Sequence, residues 1–374
     1  MAVGWSPAGA KSETTLKSGT GPILSAERMF VMRYAARTVI DTPRLHIRVM
    51  READAPVIAE YRNDPQIAQF QDWTMPYTLE MARARLVEQE HRTGITEGQW
   101  IQLGVERDGE LIGDLACHLH DGGGIAEIGY SFRAAYHGRG YATEAANALV
   151  DHLFATTAVH RLEASLDPRN VASMRVLEAI GMQFESMSRQ SYKMRGGYED
   201  DVRYAMLRDD RAAWLARAAT PPETVELVEI TPEDAYLWGR LRTHHSQEQF
   251  VSTMALTFRD ALFPEVVDGA PVVPWMRGVL GDGERVAFVM LAEVTAYHPD
   301  PFLWRLLVDR VHQRRGIGTM IIAAVQAELT RQGQRTLVTS WHEGAGGPRR
   351  FYEGLGFVPT GRLVDDEVEA RLNW

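Results

Sequence analysis

The sequence predicts an α+β fold built twice: two tandem domains, each a sheet flanked by helices. Three observations carry that expectation. Short stretches with the two-residue alternation of a half-buried strand are interleaved with longer ones whose apolar residues recur at helical spacing. A strand, a turn carrying two glycines and a helix start follow one another at 127–154 and again at 303–325. Three landmarks also recur at nearly constant offsets, Asp108 with Asp282 (282 − 108 = 174), Gly138 with Gly316 (316 − 138 = 178) and Gly181 with Gly356 (356 − 181 = 175).

At 374 residues the chain is long enough for two cores. Its 45% hydrophobic and 24% charged content is that of ordinary globular protein. A formal net charge of −10 argues against a nucleic-acid partner held by phosphate neutralisation. Cys117 stands alone, which excludes an intrachain disulfide and a cysteine zinc site. No apolar run approaches the roughly 18 residues of a membrane span, and the first residues lack a secretory pattern. A cytoplasmic enzyme with no membrane partner is the expectation.

Residues 1–41, rich in Ser, Thr, Gly and Ala, read as a flexible leader, with Met29 and Met32 as further start positions. The first domain is assigned to 42–210. Arg44 to Val49 alternates as a strand, and helices are expected over Glu52–Arg62 and Leu79–Arg92. The intervening loop carries Phe70, Trp73 and Tyr77, aromatics suited to a substrate mouth. Trp100–Glu106 and Leu111–Leu119 form a hairpin about Asp108-Gly109. A helix follows the first glycine turn, with Ala145, Ala146, Leu149, Val150 and Leu153 on one face. After the strand Leu162–Leu166, Asn170 opens a helix that Gly181 closes, and Met182–Met187 and Asp201–Leu207 complete the sheet. A linker at 211–223 ends in Pro221-Pro222. The second domain, 224–374, repeats the order: a strand at Val225–Ile230, a helix at Pro232–Arg242, a hairpin at Gly281-Asp282-Gly283, a strand at Leu303–Asp309, the second glycine turn with its helix, a strand at Thr336–Ser340 and a short helix up to Gly356.

The glycine turns carry the chemistry. Glycine lets the backbone approach a ligand closely, and the first helical N–H groups, with the positive end of the helix dipole, point at an anion. A nucleoside-triphosphate loop needs Gly-Lys-Ser/Thr, which neither turn has. A dinucleotide fingerprint needs a third glycine after an early strand, whereas here the motif follows four strands.

Gln313-Arg314-Arg315-Gly316-Ile317-Gly318 and His137-Gly138-Arg139-Gly140-Tyr141-Ala142 resemble the GNAT superfamily of acyl-CoA-dependent N-acyltransferases, and the likeness runs through nearly all of the chain from Thr42. Thr42-Pro43-Arg44-Leu45, Gly140–Ala145 and Asn170-x-x-Ser173 are similar to the RimJ/RimL type, which acetylates protein amino termini and, in relatives, small amines and antibiotics. Gln249-Phe250-Val251, Val286–Met290, Leu303–Asp309 and Phe351-Tyr352-x-x-Leu355-Gly356-Phe357 resemble bacterial spermine/spermidine (diamine) acetyltransferases. The resemblance implies a mixed, mostly antiparallel sheet with splayed central parallel strands, and acetyl-CoA as co-substrate with no metal. It puts the pyrophosphate at Gly138 to Ala142 and at Gly316 to Thr319, with His137, Arg139, Gln313, Arg314 and Arg315 nearby. It lays the pantetheine arm along Ser131-Phe132-Arg133 and Leu307-Val308-Asp309, with Asn170 bonding its amide or simply capping its helix.

Amide formation sets the catalytic expectation. An alkyl ammonium titrates near 10.4, so at neutral pH about one molecule in a few thousand is nucleophilic, a deficit of roughly 4–5 kcal/mol. A carboxylate near the amine relieves it. Glu127, on the strand entering the first turn, is the candidate base; cross-strand pairing with Arg or Lys is the alternative. Family resemblance gives the thiolate-protonating role to Tyr352 in the second copy and Ser173 in the first. Glu248, Asp260, Glu265 and the run Asp365-Asp366-Glu367-x-Glu369 either hold a polyamine or aminoglycoside or form a solvated acidic edge. His118-x-His120 puts two imidazoles on one strand face with no third ligand in view. The expected partner is a small-molecule amine, with the copies forming an intrachain pseudo-dimer or the chain a homodimer. The alternatives are a protein amino-terminal or lysine acetyltransferase with one catalytic copy, and a CoA-binding sensor without turnover.

Overall fold

The computed structural model describes residues 39–374 other than Glu90, Thr93 and Asp268, so the expected leader lies almost wholly outside the described residues. The chain divides after Ala212 into two compact units.

In the first unit the strands are β1 (Val39–Asp41), β2 (His46–Val49), β3 (Trp100–Arg107), β4 (Glu110–His120), β5 (Ile125–Phe132), β6 (Arg161–Leu166), β7 (Gln183–Met194) and β8 (Gly197–Leu207). The helices are α1 (Ala55–Arg62), α2 (Pro65–Ala68), α3 (Leu79–Gln89), α4 (Tyr141–Thr156), α5 (Val171–Ala179) and α6 (Arg208–Ala216), which crosses the division. The sheet order is β1-β2-β3-β4-β5-β6-β8-β7. Strand β1 falls inside the stretch read as leader: three residues are too few to show a period, and only pairing with β2 holds them extended.

Every pairing between these strands is antiparallel except β5 with β6. That parallel pair meets at three positions, Ile125–Arg161, Ala126–Leu162 and Glu127–Glu163, and then parts, leaving β5 from Ile128 to Phe132 without a β6 partner. One sheet face packs Ile101, Leu103, Leu115, Ile128 and Tyr130 against Leu149 and Leu153 of α4 and Leu177 of α5. The other face lies under α1 and α3, where Met50, Ile58 and Leu86 are buried.

The second unit has β9 (Val225–Val228), α7 (Ala235–Trp238), α8 (Met254–Leu262), β10 (Val266–Val267), β11 (Ala270–Pro271), β12 (Pro274–Gly281), β13 (Glu284–Ala292), β14 (Phe302–Val308), α9 (Ile317–Arg331), β15 (Thr336–Trp341), α10 (Arg349–Gly354), β16 (Val358–Val364) and β17 (Glu367–Asn373). Its main sheet runs β16-β17-β15-β14-β13-β12-β9, and the parallel pair, β14 with β15, meets only at Phe302–Val338 and Leu303–Thr339. Two mixed, mostly antiparallel sheets with parting central strands are the fold the sequence predicted.

The repeat holds with one correction. Asp108 and Asp282 sit in matching hairpins at φ 52° and 50°, and Gly181 and Gly356 follow their helices at φ 96° and 94°. Gly316, however, matches Gly140 and not Gly138: both cap their helices in the left-handed conformation, at φ 74° and 80°. The offset becomes 316 − 140 = 176, in line with the other two. Helix geometry fixes the residue before the first turn, whereas the order of glycines in the motif does not. Arg314, at φ 64°, occupies the left-handed position that Gly138 holds at φ 72°.

One further element differs from expectation, and the exposed acidic run takes a definite place. The helix expected over Pro232–Arg242 shrinks to the four residues of α7, where Asp234 accepts from the Trp238 indole (2.9 Å) and Gly239 follows. The run Asp365-Asp366 is the tight turn between β16 and β17, both residues at positive φ, and Glu369 accepts from Thr360 (2.8 Å). That run is hairpin structure.

Candidate functional site

In the first unit the parting of β5 from β6 and the turn into α4 lie at the same end of β5. The turn is held by its own side chains. His137 Nε2–H donates to the Phe132 carbonyl (2.8 Å), closing the loop back on the strand end. Gly140 caps α4 with no side-chain bond, so the first amides of the helix carry no intramolecular cap. Helices α5 and α8, by contrast, are capped by Asn170 and Thr253. Glu144, in the first turn of α4, is gripped by Thr42 Oγ1 (2.6 Å) and Arg44 Nε (2.6 Å), and Arg44 Nη1 donates to the Arg139 carbonyl (3.1 Å). Arg44 also lies over the Tyr141 ring, 4.6 Å from its centroid. A left-handed turn with free amides, beside a strand with one open edge, fits an extended chain ending in a pyrophosphate.

The residues expected along the pantetheine arm lie at the end of β5. Ser131 and Phe132 are buried at the open edge of β5, while Arg133 turns to Glu110 (2.6 Å) and Glu60 (3.4 Å). Arg139 is exposed. Asn170 accepts from the Ser173 amide (3.1 Å) and so caps α5, and the Tyr130 hydroxyl donates to the Ser173 carbonyl (2.9 Å).

Glu127 stands on the opposite sheet face from α4 and α5, at the last bonded step before the strands part. It makes no hydrogen bond or ion pair with any described residue, so the expected alternative, a cross-strand partner, is not what holds it. Burial, with Glu163 alongside, pushes its carboxyl up to about 7; Arg203 works against this and Asp201 adds to it. A carboxylate that titrates near neutrality and has no partner is suited to taking a proton. Across the sheet from Glu127 lie His118 on β4 and Trp100 on β3, in register. Trp100, His118 and His120 stack, with centroids 5.0 and 5.3 Å apart. Burial, and His120 beside it, hold the His118 pKa down.

The second unit builds the same turn from different residues. Gln313 Nε2 donates to the Val308 carbonyl (3.1 Å), the counterpart of the His137 bond, and also to Gln247 (2.8 Å). Gly316 caps α9 with no side-chain bond. Gly318 lies inside the helix, where a Cβ would come 2.9 Å from the Phe351 ring, so its role there is close packing. Ile317 is buried in the core, and Thr319 is exposed on the first turn. Arg314 is exposed, whereas Arg315 is buried, donating to the Thr220 carbonyl (2.8 Å) and meeting His312 (2.9 Å). Leu307 is buried, and Asp309 accepts from the amides of Arg242 (2.9 Å) and Val311 (3.1 Å).

Tyr352 is buried and stacked on Trp341 (5.5 Å, 15°), with its hydroxyl pushed up to about 12 by burial. A bulge between Met290 and Leu291 gives β14 one extra residue. Counted back through it, Phe302 and Val338 stand where Glu127 and Glu163 stand in the first unit. The second unit has no carboxylate at that pair.

Sequence reasoning missed the polar layer beneath α1 and α3. Gln102 and Asp114 are buried on the Glu127 face, bonded to each other (2.6 Å) and reached by Arg85 and Arg62. The available signal was a glutamine and an aspartate inside otherwise apolar strands.

A mixed sheet that opens between two parallel strands, above an uncapped helix on a left-handed glycine, defines an acyltransferase of the GNAT type. Family models described as "Acetyltransferase (GNAT) domain" match residues 44–183 and 278–359. The chain is 31% identical over 174 residues to Uncharacterized N-acetyltransferase p20 of Bacillus licheniformis, covering 46% of this chain and 97% of that one. It is 36% identical over 136 residues to Probable N-acetyltransferase YjcK of Bacillus subtilis, covering 36% of this chain and 75% of the relative. Among solved structures, a GNAT-family acetyltransferase from Bacillus anthracis aligns at 28% identity and a TM-score of 0.41, over 46% of this chain and 99% of that one. The chain belongs to the GNAT acetyltransferase family and carries two of its domains in tandem. It is an acetyl-CoA-dependent acetyltransferase.

Proposed function

We propose that the first unit is the working copy and transfers acetyl from acetyl-CoA to a primary amine on a small molecule. The carrying observation is Glu127, unpartnered at the mouth of the parted strands and titrating near neutrality. The acceptor nitrogen attacks the thioester carbonyl carbon while Glu127 takes its proton, directly or through water. The tetrahedral intermediate then collapses, the C–S bond breaks, and the CoA thiolate takes a proton relayed from solvent through the Ser173 hydroxyl while Glu127 releases its proton to solvent, giving the amide and free thiol. The amides of Gly138 to Ala142 receive the pyrophosphate, and the open edge of β5 at Ser131-Phe132 receives the pantetheine arm.

A small acceptor suits the enclosure of the Glu127 face: Arg195 donates to the Ala68 carbonyl (2.6 Å) and Tyr192 bonds Asp72, tying the β7–β8 hairpin to the loop after α2. The second unit keeps the glycine turn but puts Phe302 and Val338 at the carboxylate positions, which supports CoA binding there without efficient transfer. Thiol release should be followed with acetyl-CoA against polyamines, aminoglycosides, amino acids and peptides. Gly140→Glu is expected to abolish release and Gly316→Glu to preserve it; the reverse pattern refutes the assignment.

A second reading, an amine at a protein amino terminus, draws on 30% identity over 109 residues to a protein named Putative ribosomal N-acetyltransferase YdaF of Bacillus subtilis. The peptide arm of the same assay decides between them.

A further inference from the structure

Resting on that reading of the first unit, we propose that the acceptor carries an anionic group of the carboxylate class a few carbons from its amine, and that Arg85 receives it. Arg85, on α3, turns toward the sheet, where Nε and Nη2 both donate to the Gln102 side-chain oxygen (3.2 and 2.7 Å). Gln102 is buried and cannot turn away. Its own amide nitrogen donates to Asp114 (2.6 Å), and its backbone N–H donates to Gln89 (2.8 Å). A neutral oxygen therefore holds the half-buried guanidinium in a fixed orientation. Among the described residues Arg85 forms no ion pair, and its Nη1 has no partner.

The nearby carboxylates act on Arg85 without reaching it. Asp114 pairs with Arg62 (3.6 Å) and accepts from Tyr61, while Arg62 lies over both the Trp73 and Tyr77 rings. Asp72 is half-buried and hydrogen-bonded to Tyr192; the charges of Arg85 and Arg62 act on it through space, without ion-pair contact. A half-buried guanidinium whose carboxylates act only from a distance keeps part of its desolvation cost, and an anion arriving in direct contact relieves it.

The register then places Arg85 relative to the base. Gln102, Ala116 and Gly129 form one cross-strand row, and Trp100, His118 and Glu127 form the next row on the same face. Two strands sideways and one pleat along, the feet of Gln102 and Glu127 are about 12 Å apart. The line between them crosses β4 between Ala116 and His118 and passes Gly129, so the floor is low along the Gln102 row and is bordered by the His118 imidazole on the Glu127 row. A positive group at one end and carboxylates at the other complement a molecule with an anion and an ammonium in the reverse order. Planar guanidinium recognises carboxylate by paired hydrogen bonds, which selects this class over a neutral tail.

The test uses the full chain with 4-aminobutyrate, 5-aminovalerate and 6-aminohexanoate against butylamine, pentylamine and hexylamine. Wild type is expected to favour the ω-amino acids in kcat/KM by about tenfold or more, the usual worth of one charge-assisted contact. Arg85→Gln removes that preference through KM with kcat retained, Arg85→Lys keeps part of it, and Glu127→Gln lowers kcat for both series. Equal use of both series by wild type, or a preference that survives Arg85→Gln, overturns the proposal. Binding is read separately by thermal shift with 5-aminovalerate and pentylamine at saturating CoA, which needs no turnover. Protection of wild type but not of Arg85→Gln by 5-aminovalerate, without thiol release from any amine, upholds the anion site and sinks the transfer reading. No protection of wild type by 5-aminovalerate sinks the anion site itself.

Discussion

Glu127 and Glu163 face each other across the last bonded step of the parallel pair in the first unit, and only Glu163 has partners. Arg161 (3.5 Å), His120 (3.5 Å) and Arg203 (3.7 Å) surround Glu163, leaving Glu127 to experience its neighbour's charge uncompensated by a bond of its own. The second carboxylate therefore tunes the first.

That relationship predicts the pH profile. Only deprotonated Glu127 accepts a proton, so kcat/KM is expected to rise with pH through about 7. Glu127→Gln should lower kcat by roughly 10²- to 10⁴-fold, the span of general-base catalysis, and remove the limb. Glu163→Gln removes a like charge, lowers the Glu127 pKa and moves the limb to lower pH. Initial rates between pH 5 and 9 check this; a limb unmoved by Glu163→Gln refutes the coupling.

The same shift has a stability consequence of opposite sign to that of a salt-bridged carboxylate. Glu127 rises from 4.5 to about 7 on folding, so the folded state binds the proton more tightly. Its ionisation therefore erodes stability as pH rises from about 4.5 to 7, with a ceiling near ~3 kcal/mol. Glu127→Gln is expected to be neutral at pH 4.5 and stabilising at pH 8, measured by denaturant melts.

The two hydroxyls assigned to thiolate protonation separate the units. Ser173→Ala should cut thiol release about tenfold or more, in proportion to a lost general acid. Tyr352→Phe, which keeps the stack on Trp341, should leave release unchanged. A large loss in Tyr352→Phe alone makes the second unit the working copy.

How much of this was legible follows from range. Local signals read well: the Asp108 and Asp282 hairpins and the Gly181 helix end need only adjacent residues, and each appears as expected. The carboxylate Glu127 was visible from its place before the glycine turn, but its lack of a partner depends on Glu163, 36 positions on. Arg85, Gln102 and Asp114 come from three elements, and no periodicity links a helix arginine to a strand glutamine. The bulge at Trp304, which moves Phe302 into the place of Glu127, is one extra residue that shows only in the pairing of β14 with β13. By motif Gly138 corresponds to Gly316, since both open a Gly-x-Gly, whereas the geometry the two units share is the cap.

Close packing in the second unit gives a prediction independent of catalysis. A Cβ on Gly278 of β12 would stand 2.3 Å from the Trp238 ring, which is fully buried. Gly278→Ala must displace that ring or the strand, and should cost about 1–3 kcal/mol as overpacking does. Denaturation of the purified variant tests this; an unchanged midpoint refutes the contact.

The clamp of Arg44 on Glu144 links stability to co-substrate affinity. Arg44 joins the segment before β2 to the first turn of α4, through Glu144 and the Arg139 carbonyl, beside the left-handed cap at Gly140. The Glu144 carboxyl, although burial opposes it, is held below its ordinary value by bonds from Thr42 and Arg44. Its contribution is therefore present above the unfolded value of 4.5 and lost as pH falls through the folded value. Arg44→Ala is expected to cost about 1–2 kcal/mol at pH 7, discounted because Arg44 is partly exposed, and little at pH 3. Because the freed turn no longer holds its amides in place, KM for acetyl-CoA should rise several-fold with kcat nearly unchanged. Denaturant melts at both pH values, with steady-state rates at pH 7, read the two effects together; lost stability without a change in KM confines the clamp to folding.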